Sequence, residues 1–196
     1  MDDGNRSSLY DLAERIEGEA ALDPLVSAVD AVLPGSFREG EVRDMLGGRW
    51  LGHALHPMLT DFPLGAWMSA SLLDLIGGKS SRTASRRLVG FGILAAVPTA
   101  VTGASDWTQG TQQERRVGVV HAVANTTALS FYIASFLARR RGRHWSGVGL
   151  GILGGLAATT GGFFGGHLSL GRDIGRRATD QVVGERGSPA PFNEVR

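Results

Sequence analysis

The chain has 196 residues, with 20 Lys and Arg against 19 Asp and Glu, 29 glycines and no cysteine. The missing cysteines exclude disulfides, iron–sulfur ligation and thiol catalysis. A net charge of +1 and a mean hydropathy near zero read as a soluble domain, but the charges are unevenly spread and leave four long windows nearly free of them.

Residues 1–7 carry no apolar pattern and are expected to be disordered. Acidic residues come early, with no basic stretch leading into an apolar run, so no signal peptide is expected and the first span acts as its own insertion signal. Leu9, Leu12 and Ile16 recur at helical spacing up to Gly18. From Leu22, a second stripe of Leu25, Val26, Val29, Val32 and Leu33 is opened by Asp23 and Pro24 and stopped by Pro34-Gly35. Residues 1–50 therefore form an amphipathic helical segment that lies on the membrane, covers the bundle, or stands as a soluble headpiece.

Residues 57–77 hold only Asp61 and Asp74 as charges, while 88–105, 117–138 and 147–170 hold none. Each window is close to the roughly 20 residues of a spanning helix, which predicts a four-span domain over residues 51–172. Nine glycines between Gly147 and Gly166 keep the mean hydropathy low. Their spacing marks a small-residue face, and no internal repeat is evident. Residues 173–196 lose apolar periodicity and are expected to be a flexible polar tail.

Short connections predict an all-α, up-and-down four-helix bundle in the membrane, with both termini and the middle connection on one side. That order gathers His53, His56, Asp106, Trp107, His121, Asn125 and His167 at one end. His144 falls at the other, among Arg139, Arg140, Arg141 and Arg143, in what reads as a solvated basic loop. Pro63 lies beyond the first helical turn and frees the Leu59 carbonyl, which in lipid must find another partner.

The runs LGHALHPMLTDFPLGAW, GASDW, HAVAN and GGHLSLGRDIG resemble a bacterial four-helix membrane family of unknown function. Its members occur alone or fused at the C-terminal side to a Rieske iron–sulfur domain. The resemblance covers roughly residues 20–175. Ala54 stands where similar sequences often have proline. The tail here is short and cysteine-free, so any electron partner is a separate protein.

Ionisable residues in a spanning helix are costly and point to function. One chemistry is haem b ligation for electron transfer, with His56 and His121 on diagonal helices as axial ligands and His53 and His167 in reserve. In that reading the glycine face of the fourth helix admits the porphyrin, and Trp50 or Trp107 covers its edge. A second is a structural polar cluster of the histidines with Asp61, Asp106 and Asn125 in a non-catalytic scaffold or interaction protein. A third is a divalent metal held by His56, His121 and His167 with Asp61. No hydrolase or transferase motif is visible, and the basic runs 79–87 and 139–143 suit anionic lipid headgroups better than nucleic acid. The expected partners are the bilayer, a separate iron–sulfur or other redox protein, and, with the oligomeric state open, a second copy of the chain. Eight basic residues at the far connections against seven at the histidine end lean towards a bacterial inner-membrane protein with both termini outside.

Overall fold

Successive apolar helices joined by tight turns must run antiparallel, and the computed structural model shows this over residues 8–175, the residues it describes. The expectations for residues 1–7 and for the tail after Gly175 lie outside the described residues. Three short helices, α1 (Ser8–Gly18), α2 (Asp23–Val32) and α3 (Gly40–Leu46), precede four long ones. The long helices are α4 (Leu55–Ile76), α5 (Arg82–Trp107), α6 (Gln112–Arg140) and α7 (His144–Gly166), the last followed by a π turn over His167–Gly171. Among the described residues there is no strand.

Local chemistry sets the boundaries. Pro24 stands in the first turn of α2, where its missing donor costs nothing. Thr111 and Glu114 close α6 with a capping box: the Thr111 hydroxyl accepts from the Glu114 amide, and the Glu114 carboxylate accepts from the Thr111 amide at 2.7 Å. The Leu59 carbonyl freed by Pro63 is taken by the Thr99 hydroxyl of α5 at 3.1 Å.

α4 packs chiefly on α5, and α6 on α7, forming two hairpins. α5 meets α6 and α4 meets α7, so α4 and α6 run parallel across the diagonal. Three diagonal pairs join them. His56 faces His121, Trp67 stacks on Tyr132 with ring centres 3.9 Å apart, and Asp74 pairs with Arg139. The intervals between 56, 67 and 74 equal those between 121, 132 and 139. Each side chain also leans on its own hairpin partner at a matched place: His56 on Gly103 and His121 on Gly165, Trp67 on Gly92 and Tyr132 on Gly154, Asp74 on Ser85 and Arg139 on Gly147. The hairpins therefore repeat about a pseudo-two-fold axis running along the bundle. The sequence expectation of no repeat is corrected. What repeats is the spacing and the small partner, while the residue identities differ.

The basic loop at the far end is also corrected. Arg139 is buried, and its guanidinium bonds Asp74 through both terminal nitrogens at 2.8 and 2.6 Å. Ser85 donates to Asp74 at 2.7 Å, and Arg139 Nε donates to Ser135, whose hydroxyl donates to the Gly147 carbonyl. His144 Nε2 lies 4.0 Å from Asp74. This one network joins all four long helices.

Three segments are long and apolar enough to cross a membrane: Lys79–Trp107, Gln112–Arg140 and His144–Gly171. Of the four spans expected, these account for three; α4 has the length but falls short in apolarity, because Pro57, Asp61, Pro63, Ser69, Ser71 and Asp74 dilute it.

Cysteines introduced as R82C and R141C are expected to react with a membrane-impermeant thiol reagent from one side and G110C from the other. Labelling of 82 and 110 from the same side refutes the up-and-down order. D74N or R139M alone strands a buried charge and is expected to lower stability in detergent by about 3–5 kcal/mol, whereas D74L with R139M recovers most of the loss. Equal melting of single and double variants would contradict the ion-pair account.

Candidate functional site

Burying an imidazole nitrogen without a partner is costly, so the partners of each ring nitrogen define what it can still do. His56 Nδ1 lies 2.8 Å from the Thr99 carbonyl, and His121 Nδ1 lies 2.8 Å from the Gly161 carbonyl. A carbonyl only accepts, so each Nδ1 carries the proton and each neutral ring keeps a lone pair on Nε2. The ring centres are 6.3 Å apart and the planes cross at 83°.

Glycines make the seats. A Cβ at Gly103 would stand 2.7 Å from His56 Cε1, and one at Gly165 would stand 2.8 Å from His121 Cε1. Asn125, one turn after His121, donates to the His121 carbonyl at 2.9 Å and holds its amide nitrogen 3.3 Å from both ring nitrogens. Its amide fits only because Gly161 lacks a side chain. The glycine face of α7 thus receives His121, Asn125, Tyr132 and Arg139 of α6, which corrects the expectation of an open face for a porphyrin.

The other candidates lie elsewhere. His167 is buried and bonded through Nε2 to Glu17 at 2.9 Å, so it does not join the pair. His53 is exposed on the turn before α4, and Asp61 is exposed on the outer side of α4. Asp106 is buried in the last turn of α5 beside Gly175, apart from Asn125. Among the described residues no group of three or more metal-ligating side chains forms, so the set His56, His121, His167 and Asp61 is not assembled. Nor do the two tryptophans cover the pair. Trp107 donates to the Arg115 carbonyl at 3.0 Å beneath the Arg115 guanidinium, and Trp50 is 68% exposed on the turn after α3.

The N-terminal helices close this end of the bundle. Ala13 and Ile16 of α1 pack on Val117, Val120, Phe163, Phe164 and Leu168. Arg116 grips Asp23 at 2.7 and 2.9 Å, Arg115 and Arg38 share Asp30, and the Ser105 and Thr108 hydroxyls donate to the Phe37 carbonyl. Hydrogen bonds from Arg116 hold the Asp23 carboxyl below its usual range, and those from Arg38 do the same for Asp30. Of the three placements left open for this segment, the structure shows the one that covers the bundle. No motif announced it, because the contacts join acids of residues 17–30 to arginines some 85–155 positions away.

A family described as a predicted membrane protein, DUF2231, matches residues 52–178. The match holds both hairpins and both paired histidines, and it begins after α3. No curated protein and no solved structure matches the chain.

Glu17 makes the cap pH-dependent. Burial pushes its carboxyl up, but the bonds from Arg172, at 2.7 and 2.6 Å, and from His167 outweigh this and leave it below its ordinary value of 4.5. Its stabilisation is therefore complete above pH 4.5 and is lost as the pH falls through the lowered value. Amide exchange in α1 should stay slow from neutral pH down to that point and quicken below it. E17Q should exchange fast at neutral pH and lose this acid step, and an acid step that survives E17Q would assign it to another group.

Proposed function

Since the chain belongs to the DUF2231 family of predicted membrane proteins, we propose that it is a four-span bundle whose His56–His121 pair ligates a haem b iron for electron transfer. The observation that carries this is the matched state of the two imidazoles. Each is anchored through Nδ1–H on a main-chain carbonyl of its own hairpin and seated over a glycine, which leaves Nε2 as the ligating nitrogen, that of His121 lying 3.3 Å from the Asn125 amide. A backbone bond of this kind orients a ligating histidine and raises its basicity.

The two rings lie on diagonal helices with centres 6.3 Å apart, close enough for one bound group to be shared between them. A haem iron held by His56 and His121 would supply one-electron chemistry. The residues themselves seat the two rings on Gly103 and Gly165 and keep their tautomer through the Thr99 and Gly161 carbonyls. Asp74 is neutralised by Arg139, which makes α4 compatible with crossing beside the three apolar helices. We place the protein in the bacterial cytoplasmic membrane, with the His56 end and both described ends outside and the basic connections inside.

A structural reading has its own support, because the same two bonds tie α4 to α5 and α6 to α7. An absorption spectrum of the detergent-solubilised protein, oxidised and then reduced, separates the two. Sharp reduced bands at near-stoichiometric occupancy are expected, with H56A and H121A removing or strongly altering them and H144A leaving them unchanged. G165A should shift the spectrum without abolishing it, by displacing the His121 ring. A colourless, iron-free protein made with ample haem supply refutes ligation. Lower folded yield of H56A and H121A in that protein, by about 1–3 kcal/mol, identifies a structural pair.

A further inference from the structure

The pseudo-two-fold arrangement gives every seat on one hairpin a counterpart on the other, and at one place the two differ. On the α6–α7 hairpin, Val120, Phe163 and Phe164 are covered by Ala13 and Ile16 of α1. The matched positions on the α4–α5 hairpin are Leu55, Val101 and Thr102. These line an open cleft of about 700 Å³, roofed on one edge by Met45 and Trp50. One hairpin has its apolar shoulder filled by the chain's own helix; its counterpart does not.

We infer that this cleft binds one acyl chain of a bilayer phospholipid, the apolar counterpart of α1. The lining decides the class of ligand. Its walls present only apolar surface, because the Thr102 hydroxyl is turned back onto the Pro98 and Thr99 carbonyls at 3.0 Å. A quinone head or a sugar would find no donor there, whereas an acyl chain needs none. The cleft lies within the first two turns of α4, at the depth where a chain leaves its headgroup. Trp50, largely exposed, has the amphipathic ring that settles at that boundary. Beside it, Arg49 pairs through one terminal nitrogen with Asp44 at 2.7 Å and keeps a buried Nε–H without a partner. Its guanidinium puts a positive charge beside Trp50, where a lipid phosphate would meet it.

The test uses Trp50 as the reporter. The full-length protein is reconstituted in vesicles of phosphatidylcholine and phosphatidylglycerol carrying bromine on their acyl chains, with W50F assigning the signal. Bromine is expected to quench Trp50, and V101F, which puts the Phe163 side chain of the filled seat into the open one, is expected to relieve that quenching. L59F reads the same displacement from the opposite wall should V101F fold poorly. Unchanged quenching in both variants would mean that Trp50 only faces bulk lipid, and the site is refuted. Quenching that appears only when the chain is ended after Gly175 would assign the cleft to the C-terminal segment instead. Quenching that appears only on dilution into excess lipid would assign it to a second copy of the chain.

Discussion

A full charge in an apolar bundle is tolerated only when it is matched, and the Asp74–Arg139 pair is the constraint on which the arrangement of the four long helices rests. It sits where α4 and α6 face each other across the diagonal; the Ser85 hydroxyl of α5 bonds both members, and Ser135 beside Arg139 carries the network on to the Gly147 carbonyl of α7. A bundle of two identical hairpins would bring like charges together at this point. The chain avoids that by placing an acid on one hairpin and a base on the other. The pair therefore sets register, and it lets a carboxylate of α4 lie inside the bundle.

The same axis explains the histidines. Two imidazoles at matched positions, each bonded to the next helix in its own hairpin, face each other because the hairpins are related by that axis. The glycines of α5 and α7 then have a clear role: they let rings, an amide and a guanidinium from the diagonal helices lie flat on backbone. The two ends of the bundle differ in kind. The far end is locked internally by a buried ion pair. The histidine end is closed from outside by α1–α3, through ion pairs that involve more exposed side chains and answer to pH.

Much of the bundle was legible in sequence. The charge-poor windows located the long helices, the chain order placed the two facing histidines at one end, and Pro63 foretold a carbonyl in need of a partner. Three things were not legible. Arg139 lies in a run of basic residues and looks solvated until its distance from Asp74 is known. His167 looks equivalent to His56 and His121 until Glu17, 150 residues earlier, is seen to occupy it. The repeat escaped because its identities diverge as Trp against Tyr, Asp against Arg and Ser against Gly, leaving only spacing, which has meaning once the hairpins are paired.

The sequence by itself determined the helical class, the apolar segments and their alternating direction, because these depend on local periodicity and on the cost of placing charge in lipid. Tertiary structure alone decided that His167 turns to Glu17 and away from the facing pair, which glycines make room, where the N-terminal helices rest, and why one apolar shoulder is filled and its counterpart open. Those outcomes depend on the rotation of each helix about its axis, and that rotation is set by contacts between residues far apart in the chain.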